Sequence, residues 1–116
     1  MVARSDRRII LGLAAMQAAD GVFNAIPTQW LKEDLAHLGI PWRLRPIFPV
    51  IKGASTVGLL AGLRWPRLGR LTARALVAYF VCAIGFHVRA NDRPLRWTPA
   101  IAMLAWSARA SGAYRG

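Results

Sequence analysis

Two oppositely charged residues, Asp20 and Lys52, stand inside otherwise apolar stretches of the sequence. A charge within a membrane-spanning helix costs roughly 2.5 to 3.5 kcal/mol at its centre, so each such residue needs a partner or a purpose. Three hypotheses fit the pair: an interhelical ion pair that fixes packing and register, a proton or substrate relay with Asp20 as the carrier, and a docking feature for a partner protein or lipid headgroup. The ion pair, a structural strut, is the favoured interpretation.

Other polar residues are expected to join this pair in one intramembrane cluster. The residues that share a helical face with Asp20 or with Lys52 are Gln17, Asn24, Ser55 and Thr56. His87, near the end of a later apolar stretch, is expected to approach the cluster and supplies the imidazole in the relay hypothesis. His37, by contrast, is interpreted as a solvated surface group.

The chain carries no recognisable catalytic set. Cys82 is the single cysteine, which excludes a disulfide scaffold and a multi-thiolate metal site, and it is expected to be a small buried hydrophobe. The sequence has no paired-carboxylate site, no phosphate-binding glycine loop and no metal-ligand spacing. We therefore expect a protein that is not an enzyme and that carries neither a metal nor a cofactor.

Four apolar windows of 17 or 18 residues position these side chains. Each spans about 26 Å as a helix, close to the ~30 Å of bilayer hydrocarbon. The windows are residues 9–26, 47–63, 71–88 and 97–114. The predicted fold is all-α: an integral membrane four-helix up-down bundle in a single domain, residues 1–116. A soluble bundle, and a short or re-entrant fourth helix, are the alternatives.

The net charge of +11 is concentrated at the ends of these windows. A nucleic-acid interface would need a continuous basic face, so no nucleic-acid partner is expected. Nine Lys and Arg residues lie on the side of the two termini and six on the other, which favours cytoplasmic termini by the positive-inside rule. The start of the chain also resembles a twin-arginine signal, an alternative that would remove the first helix.

The connection from residue 27 to 46 is long enough to hold a short helix lying on the membrane surface. Thr28 is a suitable cap and Gly39 a suitable end, although a plain solvated loop is the alternative. The interfacial residues expected at headgroup level are Trp30, Trp42, Arg89 and Trp97. Gly58 and Gly62 have the small-xxx-small spacing that lets helices pack closely.

Several strings in this order resemble the DoxX-like family of small four-helix bacterial membrane proteins. They are residues 38–41 (LGIP), 45–46 (RP), 57–63 (VGLLAGL) and 86–92 (FHVRAND). Family members usually carry a glutamate where this chain has Lys52, and a lysine near the outer end of the first span, where this chain has Asp20 and Asn24. The resemblance implies an ion pair of exchanged polarity, which favours the strut.

The resemblance implies a location in the bacterial inner membrane, in contact with lipids. We expect a small non-catalytic accessory subunit of a larger complex, of transport or respiratory type, that handles a lipid or another hydrophobic substrate. The alternative is a subunit of a quinone-linked oxidoreductase, with a quinone near His87, Arg89, Trp97 and Tyr79. A third hypothesis is a homo-oligomeric, proton-coupled transporter that depends on Asp20 or His87.

Overall fold

Helices account for almost all of the chain that the computed structural model describes, which is residues 4–114. The helices are α1 (Arg4–Ala25), α2 (Gln29–His37), α3 (Ile47–Ala61), α4 (Pro66–Arg89) and α5 (Pro94–Ser111), with a 3-10 turn at Trp42–Leu44. No strand occurs within this range, so the all-α prediction is confirmed. Arg115, which entered the charge count for orientation, lies outside the described residues.

Helix boundaries follow from local residue chemistry. Pro66 and Pro94 occupy the first turns of α4 and α5, where the missing N–H of proline costs nothing. The Thr28 hydroxyl accepts a hydrogen bond from the backbone N–H of Leu31 at 3.1 Å and caps α2. Gly39 adopts a φ of +76° just after α2, a conformation that favours glycine. The prediction of a short helix between Thr28 and Gly39 is confirmed.

The four longer helices form a closed ring in which α1 and α4 each contact both α3 and α5. Neighbours run antiparallel, because Asp6 near the start of α1 meets Arg109 near the end of α5, while Asp20 near the end of α1 meets Lys52 near the start of α3. Helix α2 leaves α1 at a bend of 98° and covers one end of this bundle, which we call the α2 end.

The bundle buries polar residues and exposes large apolar ones. Its buried polar residues are Asp6, Gln17, Lys52, Ser55 and Ser107. Each of the four long helices exposes a large aliphatic side chain: Val22 is 65% exposed, Val57 68%, Val81 53% and Ile101 42%. An apolar outer surface of this kind marks contact with lipid or with a partner protein.

Length and hydropathy single out α4 among the described helices as long and apolar enough to cross a membrane. Helices α1 and α2 pass the same criterion only as one bent pair. Helix α3 has 15 residues, or about 23 Å of length, and ends before the predicted limit at residue 63. The prediction of four membrane-spanning helices therefore stays a prediction, and α4 is the helix whose length and hydropathy fit it.

Candidate functional site

Asp20 and Lys52 form an ion pair between α1 and α3, with 3.7 Å between the Lys52 Nζ and the Asp20 Oδ2. The two side chains differ in exposure: that of Lys52 is 6% exposed and that of Asp20 is 39% exposed. The two charges lie together, as their similar depths in the sequence predicted. Their surroundings are unequal, because the ammonium lies inside the bundle and the carboxylate lies at the edge of a pocket.

Aromatic rings complete the environment of the Lys52 ammonium. Its Nζ lies 4.7 Å from the ring centroid of Tyr79 and 4.8 Å from that of Phe80, both on α4. Such cation–π contacts stabilise a desolvated ammonium. Lys52 therefore connects α1, α3 and α4, which is what the strut hypothesis requires of it.

Hydrogen bonds extend the contact between α1 and α3 away from the ion pair. The Ser55 hydroxyl donates to the Lys52 carbonyl at 2.8 Å and lies 3.3 Å from the Oε1 of Gln17. Gln17 is fully buried, and its Nε2 has no hydrogen-bond partner among the described residues. Asn24 instead bonds locally, its Nδ2 donating to the carbonyl of Asp20 at 2.7 Å.

A pocket of about 380 Å³ opens beneath α2. Residues of α1, α2, α3 and α4 all contribute to its wall. The polar side chains that line it include Asp20, Asn24, Asp34, Tyr79 and His87. The remaining wall is largely aromatic or aliphatic. Its volume falls within the ~300–1,000 Å³ of typical small-molecule sites.

One face of α4 forms a wall of this pocket, through Tyr79, Cys82, Ala83 and Phe86. These positions recur at the three- and four-residue spacing of a helical face. Cys82 is exposed on this face, so the expectation of a buried cysteine was wrong.

His87 lines the pocket, but its hydrogen bond is to Asp92 and not to Asp20 or Lys52. Its Nδ1 lies 2.6 Å from Asp92 Oδ2, and the other carboxylate oxygen of Asp92 bonds His37 Nε2 of α2. We call these three residues the Asp92 bridge. His37 is exposed at the surface, as predicted, with 46% of its side chain accessible. Its bond to Asp92 is an additional contact that the sequence did not indicate.

A second ion pair reinforces the attachment of α2. Arg96 of α5 donates from its Nη2 to Asp34 of α2 at 2.6 Å, and its Nε lies 3.9 Å from Asp92. Arg89 Nη2 also donates to the Leu38 carbonyl at 3.3 Å. The end of α4, the start of α5 and Asp92 in the loop between them therefore hold α2 over the pocket.

The hydrogen bond from His87 holds the pKa of Asp92 below its ordinary value of 3.8; burial opposes this shift, and His37 and Arg96 add to it. A carboxyl whose pKa is lowered by folding stabilises the folded state above that ordinary value, and the stabilisation is lost as the pH falls through the lowered pKa. The Asp92 bridge should therefore fail in acid.

We expect Asp92→Asn to lower the melting temperature of the purified protein by several degrees at about pH 5. The difference from the unaltered protein should shrink progressively as the pH falls through the lowered pKa of Asp92, since the carboxyl is then protonated in both states. Tryptophan fluorescence melts across this range provide the measurement. Arg93→Gln, an exposed change in the same loop, is the control. An Asp92→Asn effect of equal size in acid would contradict the assigned role.

The predicted packing glycines lie between α3 and α4. A Cβ at Gly62 would stand 2.3 Å from the Cα of Gly69 and 2.6 Å from Tyr114 Cε1, and one at Gly58 would stand 2.3 Å from Thr72 Oγ1. The Tyr114 hydroxyl donates to the Leu59 carbonyl at 2.7 Å. Glycine is therefore required for the close approach at Gly62.

The four residues predicted to be interfacial all lie at the α2 end. Trp30 packs edge-on against Phe23 with 5.4 Å between ring centroids, and Trp42 carries the Arg45 guanidinium 4.7 Å above its ring. Arg89 ends α4, and Trp97 lies in the first turn of α5. Of the residues assigned to a quinone, Tyr79 and His87 line the pocket.

No group of three or more His, Cys, Asp or Glu side chains suited to a metal ion occurs among residues 4–114. The family model described as the DoxX-like family matches residues 9–109. The chain belongs to the DoxX-like family. Comparisons with curated proteins and with solved structures found no match.

Membership of the DoxX-like family makes this chain a small membrane protein and confirms the resemblance seen in the sequence. The match covers α2, most of each bundle helix, the pocket and the Asp92 bridge. Lys52 and Asp20 therefore stand as charged partners within the family domain of this DoxX-like protein.

Proposed function

We propose that this DoxX-like protein is a non-catalytic accessory subunit of a larger complex in the bacterial inner membrane, one that handles a lipid or another hydrophobic substrate. The observation that carries the proposal is the exposed aliphatic surface on all four bundle helices, Val22, Val57, Val81 and Ile101 among them. Lipid and an apolar partner are the surroundings that such a surface requires.

The proposal includes a topology in which all four long helices cross the membrane and both termini are cytoplasmic. Antiparallel packing of four helices supports it, because α3 and α5 lie alongside α4 and share its apolar exterior. The shortness of α3 is compatible with this topology, since a bilayer thins locally around a short span. The arginines at the α3–α4 connection would then face the cytoplasm.

Cysteine labelling tests this topology in a Cys82→Ser background. An impermeant maleimide should label Arg93→Cys in intact spheroplasts, but should label Ser5→Cys and Arg64→Cys only after the membrane is permeabilised. All three positions are exposed. Labelling of Arg64→Cys from outside, or of all three alike, would contradict the proposed topology.

Gentle detergent extraction tests the accessory role directly. The tagged protein should elute well above the size of its 12.8 kDa chain and its micelle, together with one or more specific membrane proteins. Its removal should lower the amount of the partner complex in the membrane. Elution as a lone monomer or homodimer, with no protein co-purifying, would overturn the accessory role.

A further inference from the structure

The pocket beneath α2 contains polar atoms that the described chain leaves available. Asn24 uses its Nδ2 in a bond to the Asp20 carbonyl, which leaves its Oδ1 available. His87 uses its Nδ1 with Asp92, which leaves its Nε2 available. The Tyr79 hydroxyl has no hydrogen bond to any residue between 4 and 114. Together with the Asp20 carboxylate, these groups provide acceptors and a donor within one pocket.

The charges in the pocket wall are balanced within the protein. The Asp20 carboxylate faces the Lys52 ammonium, and the Asp34 carboxylate is bonded by Arg96. A cationic ligand at Asp20 would meet the positive charge of Lys52, and an anionic ligand would meet the carboxylate itself. Uncharged polar groups are therefore favoured over ions at this position.

The rest of the pocket suits an apolar body. Five aromatic rings contribute to its wall, those of Phe23, Trp30, Phe48, Tyr79 and Phe86. Leu31 and Leu35 of α2 and Leu38, which follows that helix, are buried and line the pocket. A volume of about 380 Å³ admits one ring system or one short chain rather than a whole phospholipid.

We propose that this pocket binds an uncharged amphipathic molecule that carries a hydroxyl group. The hydroxyl donates to the Asp20 carboxylate and accepts from Tyr79, while the apolar body lies against the aromatic and leucine side chains beneath α2. This inference rests on the proposed function only for the membrane location, from which such a molecule would enter. To the proposed function it adds the chemical class of the ligand and the residues that recognise it.

The single cysteine provides a direct measurement, because Cys82 is exposed and lines the pocket. The rate at which N-ethylmaleimide modifies Cys82 is measured on the purified full chain in nanodiscs, with increasing decan-1-ol. Saturating decan-1-ol should slow the modification several-fold. Decyl methyl ether, which cannot donate a hydrogen bond, should need about tenfold more for half the effect. Decylammonium should also bind more weakly than the alcohol.

Two variants connect the protection to the pocket. Ala83→Phe fills the pocket and should abolish protection by decan-1-ol. Val88→Phe, at a position that is 55% exposed on the opposite face of α4, should leave the protection unchanged. Tyr79→Phe removes only a hydroxyl and should reduce the preference for alcohol over ether. It keeps the experiment informative if Ala83→Phe does not fold.

Three outcomes would overturn the inference. Equal protection by alcohol and ether would remove the role of the hydroxyl, and stronger protection by decylammonium would assign the pocket to cations. Absence of protection by every probe would show that the pocket does not bind this class of molecule. The labelling experiment uses the purified chain without a partner. Any of these three outcomes would therefore overturn the ligand inference alone, and the accessory role would still be decided by co-purification with a larger complex.

Discussion

Replacing Asp20 with alanine should destabilise the protein by about 3 to 5 kcal/mol, and replacing Lys52 with methionine should cost much less. The difference follows from the unequal burial of the two side chains, 39% exposed for Asp20 and 6% for Lys52. Without Asp20, an ammonium remains inside the bundle with only aromatic rings to stabilise it. Without the ammonium, the carboxylate remains at the pocket edge, where water can solvate it.

Unfolding titrations of the purified variants in mixed micelles measure these free energies. The double variant Asp20→Ala with Lys52→Met should regain most of the stability lost in Asp20→Ala, because it leaves no buried charge unpaired. Exchanging the charges, Asp20→Lys with Lys52→Asp, should restore the membrane accumulation that each single exchange loses. Equal losses in Asp20→Ala and Lys52→Met would contradict the role of unequal burial.

The same variants separate the strut from the other two hypotheses for the pair. If the exchanged pair accumulates normally but the protein does not function, the identity of each charge matters, as a relay or a docking feature requires. Lys52 of α3 contacts Asp20 of α1 and Tyr79 of α4, so it joins three of the four bundle helices. These contacts favour the strut.

The ion pair was predictable because helical geometry reduces the problem to counting residues. Asp20 lies six residues from the end of its apolar window and Lys52 five from the start of its own, so antiparallel packing brings them to similar depths. The α2 helix was predictable for a comparable reason, because Thr28 and Gly39 are local signals for its ends. Both inferences use only local sequence: the number of residues between each charge and the end of its apolar window, and the capping residues at the two ends of α2.

The Asp92 bridge could not be predicted in this way. His37 and Asp92 are separated by 55 residues, and their contact depends on how α2 folds back over the bundle. Periodicity within a helix does not contain that information. The only sequence signal was the occurrence of Asp92 in the FHVRAND string, which marks the residue without naming its partner.

Exposure of Cys82 shows the same limitation for burial. An apolar window does not indicate which face of its helix meets another helix and which meets a pocket. Tyr79, Cys82 and Phe86 share one face of α4, and that face borders the space beneath α2 because α2 is held there by distant residues. The pocket is thus a consequence of the Asp92 bridge and the Asp34–Arg96 pair together.

Gly62→Ala should destabilise the protein by about 2 kcal/mol or more, because the added Cβ would overlap backbone. It would stand 2.3 Å from the Cα of Gly69, and neither helix can withdraw without separating α3 from α4. Gly58→Ala should cost less, since the nearest obstacle is the Thr72 side chain, which can change rotamer.

Gly53→Ala is the matched control on the same helix, because nothing lies within 4 Å of its added Cβ. It should leave stability unchanged or raise it by up to about 1 kcal/mol through reduced backbone entropy of the unfolded chain. The expected order of stability is therefore Gly53→Ala, then Gly58→Ala, then Gly62→Ala, measured by the same unfolding titration. A Gly62→Ala protein as stable as the Gly53→Ala protein would contradict the close approach of α3 and α4 at Gly62 and Gly69.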